Sequence, residues 1–169
     1  MEPDGLRDRL SNALKASRAA YAEARVERTR STRVAFRGTR LEGANESVDA
    51  GGCVRALVHG CGWGVASFTS LDDLPAMLAA AEEMSRAIHL DQPIRLSPAA
   101  PHEDVVIPTV DGDPREVPLA EKRRLLEHLN GLMLAASGKI ADTMAAYFDH
   151  RTEWAYANSE GTWLYEVRP

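Results

Sequence analysis

Cysteine is nearly absent from this 169-residue sequence: Cys53 and Cys61 are too few for a disulfide framework. Aromatic residues make up only 6%, so a core has to rest on Leu, Val, Ile, Met and Ala. No apolar run approaches the roughly 20 residues that carry a helix across a bilayer. The start, Met1-Glu2-Pro3-Asp4, lacks the basic and apolar stretches of a secretory leader. An excess of positive charge is missing too. Lys and Arg number 20 against 25 Asp and Glu, a net charge of −5, which argues against non-specific attachment to nucleic acid or an anionic membrane. A cytoplasmic location with no direct nucleic-acid or membrane partner is the expectation. What is present is ordinary globular material, 44% hydrophobic and 27% charged. The length suits one domain over residues 1–169, burying roughly two-thirds of its extended surface.

Leu6 to Tyr21 reads as an amphipathic helix, with Leu6, Leu10, Leu14 and Ser17/Tyr21 at helical spacing and Arg7, Arg9, Lys15 and Arg18 off the stripe. The period then becomes that of strands, at Glu23–Arg30 and Thr32–Arg37. Gly38-Thr39 is a two-residue hairpin turn leading into Arg40–Val48. Ala50-Gly51-Gly52 breaks the chain before a strand at Cys53–Val58, a turn at His59–Gly62 and a returning strand at Trp63–Thr69. Ser70 as N-cap, Asp73 three residues on and Pro75 in the first turn mark a second helix. Its apolar stripe is Leu74, Met77, Leu78, Ala81, Met84 and Ile88. Residues 91–117 form a long proline-containing connection with one short strand at Asp104–Ile107. Pro118 opens a third helix, with Leu125, Leu126, Leu129, Leu132, Met133, Ala136, Ile140 and Tyr147 inward. A hairpin around Asn158-Ser159-Glu160-Gly161 closes the chain. The pattern α-β-β-β-β-β-α-α-β-β predicts an α+β fold, an antiparallel β-meander with helices packed on one face.

The candidate chemistry is sparse. Gly51-Gly52 and Gly60, Gly62 and Gly64 invite a phosphate-loop reading, but such a loop feeds a helix N-terminus and this segment feeds a strand. Tight hairpin turns explain the glycines better. Cys53, His59 and Cys61 lack both the paired-thiolate spacing and the fourth ligand of a structural zinc site. His102-Glu103 begins like H-E-x-x-H, yet Val106 stands four residues after His102. His89, His128 and His150 are scattered. A thiol hydrolase would have to use Cys61 with neighbouring His59, with no orienting group in sight. Asp72-Asp73 and Glu82-Glu83 suit solvated helix faces, and the arginines between Arg25 and Arg40 suit an outward sheet face beside Glu23, Glu27, Glu42 and Glu46. Residue by residue, no complete active site emerges.

Several segments together nevertheless resemble one family. Tyr21-Ala22-Glu23-Ala24-Arg25-Val26-Glu27 is similar to the entry into the first strands of TldD/PmbA proteins. Gly51-Gly52-Cys53-Val54-Arg55-Ala56-Leu57-Val58, followed by Gly62-Trp63-Gly64-Val65-Ala66-Ser67, resembles that family's glycine-framed hairpin, G-V-R-x-L-V…G-x-W-G-F-A-S. Val117-Pro118-Leu119-Ala120-Glu121-Lys122 resembles its V-P-x-x-E-K helix start, and Asn158-Ser159-Glu160-Gly161 its N-S-x-G turn. Order and spacing agree from about Tyr21 to Gly161. One glycine is missing near Cys53, and Gly62 is one residue extra before Trp63.

The resemblance implies an N-terminal domain. TldD-type members are zinc metallopeptidases, also described as modulators of DNA gyrase. They act on unfolded or small peptides, mature microcin-type precursors and degrade an antitoxin. PmbA, also called TldE, lacks the metal motif and joins TldD in a complex that encloses the active site. The family's H-E-x-x-x-H zinc motif lies in a C-terminal domain, so zinc is expected there and no catalytic or metal residue carries over to this sequence. Gly51, Gly52, Arg55, Trp63, Gly64, Asn158, Ser159 and Gly161 carry over as structural landmarks, with Trp63 the one candidate for a peptide or interdomain contact. The expectation is a non-catalytic scaffold or chamber domain, in a homo- or hetero-oligomer with a TldD/PmbA-type chain and a peptide substrate. The alternatives are a peptide-binding or dimerisation module unrelated to proteolysis, and the Cys61/His59 thiol hydrolase.

Overall fold

The computed structural model describes residues 2–169. Its elements are α1 (Pro3–Lys15), β1 (Tyr21–Arg37), β2 (Arg40–Leu57), β3 (Trp63–Phe68), α2 (Leu74–Arg86), β4 (Glu103–Val106), α3 (Leu119–Ala135), β5 (Met144–Asn158) and β6 (Trp163–Arg168). The α+β class holds and the elements follow in the predicted order, with the five strands expected ahead of α2 joined into three. The strands form one six-stranded sheet in the order β3-β2-β1-β5-β6-β4. That sheet is mixed, which corrects the purely antiparallel expectation. β4 runs parallel to β6, from Glu103 opposite Trp163 to Val106 opposite Glu166. No hairpin joins these two strands, so nothing in the connection forces them to run in opposite directions.

Other boundaries move for physical reasons. Gly38, at φ 53°, makes the predicted turn between β1 and β2. β1 runs unbroken through Arg30–Thr32, and β2 continues through Ala50-Gly51-Gly52, where the sequence predicted a break. Gly52 is there for space, because a Cβ on it would lie 2.4 Å from the Phe68 ring and 2.5 Å from the Arg25 carbonyl oxygen. α1 stops at Lys15, and Tyr21 already belongs to β1. α2 starts after a single 3₁₀ turn, Leu71–Asp73, in which the Asp72 amide donates to Ser70 Oγ at 3.2 Å. α3 ends at Ala135, so Tyr147 lies in β5.

By contacts the chain divides into two compact units. The first takes residues up to 28, with 50–107 and 153–168. Its core joins Leu6, Leu10 and Leu14 of α1 and Leu74, Leu78 and Ala81 of α2 to Ala22, Ala24 and Val26 of β1 and to Trp163, Tyr165 and Val167 of β6. α2 lies directly on β3. At Gly64 a Cβ would meet the Ala81 carbonyl oxygen at 1.8 Å and the Ser85 amide nitrogen at 2.6 Å, so only glycine lets helix and strand backbones approach this closely. Buried Ser85 fastens the same contact, its Oγ accepting from Val58 N at 2.9 Å and donating to Gly62 O at 2.6 Å. Met84 and Ile88, predicted inward, are exposed, and Glu82 and Ser85 are buried in the helix instead.

The second unit takes residues 29–49 and 108–152. Its core is small, Val34, Phe36, Leu126 and Ala145, with Leu41, Ala44, Leu119 and Tyr147 packed around it. The inward face of α3 is Lys122, Leu126 and Asn130. Leu125, Leu129, Leu132, Met133 and Ile140, all predicted inward, are exposed.

Candidate functional surface

In the first unit alternate residues of each strand point away from the helices, and the outward set is unusual. β1 contributes Tyr21, Glu23 and Arg25, β2 Arg55, β3 Trp63, and β5 Trp154, Tyr156 and Asn158. At their centre is Glu23, only 5% exposed. Its Oε2 accepts from the Tyr21 and Tyr156 hydroxyls, both at 3.1 Å. Its Oε1 faces Arg55 Nε at 3.4 Å and Arg25 Nη2 at 3.5 Å. Such a buried carboxylate is tolerable because cations and hydroxyls surround it. The two tyrosine hydroxyls meet at 2.9 Å, and Asn158 Nδ2 donates to the Tyr21 hydroxyl at 3.4 Å. Burial, and then the Tyr156 hydrogen bond, raise the Tyr21 phenol well above its ordinary value, so it stays a neutral donor.

Glu23 thereby holds Arg55 in place. The Arg55 guanidinium lies 4.3 Å from the centroid of Trp63, a cation–π arrangement, and Tyr21 meets that indole edge-on at 5.8 Å. Arg25 covers Tyr156 at 5.6 Å, and Tyr156 stacks on Trp154. The result is a braced platform of aromatic faces with spare guanidinium donors. What it offers is stacking, hydrogen bonding and a surplus of one positive charge.

The landmark residues divide between this platform and its supports. Arg55, Trp63 and Asn158 belong to the platform. Gly51, Gly52 and Gly64 give close backbone approach. Asn158 Oδ1 also accepts from Glu160 N and Thr162 N, which shapes the turn, and Gly161 sits there at φ 100°. Ser159 pins that turn to β1, its amide donating to Ala22 O at 2.8 Å and its Oγ accepting from Ala22 N at 3.0 Å. Cys61 is buried and bridges backbone to backbone with His89, whereas His59 is exposed, and no hydrogen bond joins Cys61 to His59. Among the described residues no three His, Cys, Asp or Glu side chains gather where they could hold a metal ion.

A second polar cluster lies in the second unit. Lys122, 3% exposed, pairs with Asp149 at 2.8 Å, donates to Thr32 Oγ1 at 3.3 Å and lies 5.7 Å from the Tyr147 ring centroid. A cavity of about 150 Å³ beside it is lined by Arg30, Glu46 and Arg115 as well. Burial alone would raise the Asp149 carboxyl, but the hydrogen bonds from Lys122, Tyr147 and Thr32 outweigh it and hold the group below its ordinary value. Burial, with Asp149 as acceptor, pushes the Tyr147 phenol up to about 12. Sequence reasoning missed Glu23, Tyr156, Lys122 and Asp149 as members of clusters. A signal existed for Lys122: it shares a helical stripe with Leu119, Leu126 and Asn130.

The fold has known counterparts. The model for PmbA/TldA metallopeptidase domain 1 matches residues 22–88, and the model for the central domain of the same metallopeptidases matches 112–169. The chain belongs to the PmbA/TldD family. A metalloprotease of Synechocystis is 35% identical over 149 residues, 88% of this chain and 32% of that protein. A metalloprotease of Methanothermobacter thermautotrophicus is 26% identical over 145 residues, 86% of this chain and 31% of that protein. The crystal structure of a protein from Bacteroides thetaiotaomicron described as a modulator of DNA gyrase superposes with a TM-score of 0.81 at 14% identity, over 99% of this chain and 39% of that one. TldE from Thermococcus kodakarensis superposes with a TM-score of 0.67 at 16% identity, over 96% and 36%. At these identities the two structures speak for the fold. The PmbA/TldD chain described here spans about a third of the length of the curated relatives it matches.

Proposed function

We propose that this PmbA/TldD chain is the non-catalytic scaffold of a peptidase assembly acting on unfolded or small peptides in the cytoplasm. Its Trp63 face is a wall against which the peptide lies. The observation that carries the reading is the Arg55–Trp63 platform braced by Glu23, because Trp, Tyr and Arg held rigid on an open face are the residues that dominate binding surfaces. Stacking and guanidinium contacts tolerate sequence variation, which suits an unfolded peptide. Zinc is the metal this family implies, and the described side chains of this chain do not fit it. In the proposal other PmbA/TldD polypeptide, in a homo- or hetero-oligomer with this chain, supplies the metal and activates water. No step is assigned to residues here.

The test is purification of the tagged chain from its native cells, with mass spectrometry of what accompanies it and peptidase assays of the assembly. Polypeptide carrying H-E-x-x-x-H should co-purify. Trp63→Ala should raise KM for an unfolded peptide without changing the zinc content. Peptide hydrolysis by the isolated 169 residues, abolished by Cys61→Ser, would replace this reading with a thiol hydrolase.

A further inference from the structure

α3 is built the wrong way round for a helix whose only task is to cover a sheet. An amphipathic surface helix turns its leucines to the core, yet here Lys122, Leu126 and Asn130 face inward. Leu125, Leu129 and Leu132, about 100° further round the axis at 3.6 residues per turn, remain 46–56% exposed, with Met133 beside them. Single exposed leucines are ordinary, but a continuous stripe of them is a patch.

Rolling cannot hide the stripe. Asn130 Nδ2 donates to Gly38 O at 2.6 Å, Thr143 Oγ1 donates to Asn130 Oδ1 at 2.7 Å, and Lys122 is tied to Asp149. Turning the leucines inward would break all three and strand a buried ammonium. The polar bonds therefore hold the apolar stripe outward.

The lengths of the relatives indicate what covers it. Up to 99% of this chain superposes on the solved structures, while it makes up only 31–39% of the proteins it matches. Well over half of each of those proteins is additional polypeptide. A second copy meeting it through the same two turns, about 11 Å of a helix some 10 Å wide, would bury on the order of 100 Å², short of the roughly 800 Å² per partner that a stable dimer needs. We infer that the Leu125–Leu129–Leu132 stripe is the docking face for PmbA/TldD-family polypeptide other than the portion this chain spans, met through an apolar surface.

The inference rests on the proposed assembly, and the experiment separates the two. A photo-crosslinking amino acid is placed at position 129 of the tagged chain in its native cells, and at position 127 on another side of the helix as control. Crosslinked peptides are then identified by sequence. The expected result is a crosslink from 129, lost at 127, to family polypeptide outside the span of residues 1–169, whether joined to this chain or separate. Crosslinks only to a second copy of the 1–169 span, only to an unrelated protein, or equally from both positions overturn it. Co-purification of family polypeptide without a crosslink from 129 removes the docking face and leaves the assembly standing. If no such polypeptide is found, both fall. Leu129→Ser and Leu132→Ser in the isolated chain should leave its thermal unfolding unchanged, and a marked loss would mean that the stripe is packed internally.

Discussion

The leucines of α1 and three of those of α3, Leu125, Leu129 and Leu132, are treated in opposite ways, and the difference separates the two units of the chain. In the first unit Leu6, Leu10 and Leu14 are buried, α2 adds Leu74 and Leu78, and Gly64 lets helix and strand backbones touch. Docking there is by burial and close fit. In the second unit α3 approaches the sheet with a lysine and an asparagine, each given a partner, and leaves Leu125, Leu129 and Leu132 in solvent. The hydrophobic effect has no direction of its own. Directional bonds decide which side of α3 faces in, even against the pull of its leucines.

Removing the bond that orients α3 should have the largest effect. Asp149→Asn leaves Lys122 buried without a counter-charge and should cost about 3–5 kcal/mol in urea unfolding. The pH dependence follows from the Asp149 carboxyl, held below its ordinary value of 3.8. The pair's contribution is complete above that ordinary value and is lost as pH falls through the lowered folded one. The variant should lack this part of the acid-induced loss of stability. Glu82 retains a limb of the same sign: burial would raise it, but Ser17, the Arg18 amide and Arg86 outweigh that. An unchanged acid profile in Asp149→Asn would mean that burial of leucine, not the ion pair, docks α3.

Next comes the close fit in the first unit. Gly64→Ala places a methyl against backbone that cannot swing away and should cost about 3 kcal/mol, at the upper end for overpacking. A contrast within one residue type tests the leucines directly. Leu10→Ala should cost about 2–5 kcal/mol as a core cavity, whereas Leu129→Ala in the isolated chain should stay within about 0.5 kcal/mol, as exposed sites do.

How far the sequence revealed this arrangement differs by element. α1 was legible because its three leucines recur at four-residue spacing and all three are buried. The β4 strand and the Gly38 turn were legible from local chemistry. α3 misled because apolar periodicity reports a stripe, and cannot say whether this chain or another covers it. Gly51-Gly52 misled because glycine signals a break and a close approach in the same letter, and only the position of Phe68 decides between them. The Glu23 platform draws on four strands from Tyr21 to Asn158, and no local pattern announces such a meeting. The family motifs did contain its members Arg55, Trp63 and Asn158, as landmarks without a stated partnership.

The smallest effect concerns a glycine inside a helix. Gly131 lies inside α3, and a Cβ there meets nothing within 4 Å. Replacing it with alanine removes the entropic penalty of glycine in a helix and should stabilise the isolated chain by about 0.5–1 kcal/mol, read as a higher urea midpoint. Gly64 and Gly131 would then answer the same substitution with opposite signs, one glycine kept for contact and the other without a structural need in the isolated chain. If Gly131→Ala stabilises the isolated chain but weakens its hold on accompanying polypeptide, close approach on that flank of α3 comes from outside these 169 residues. A loss of stability in the isolated chain would instead mean that α3 bends at Gly131, and the contrast between the two glycines would fail.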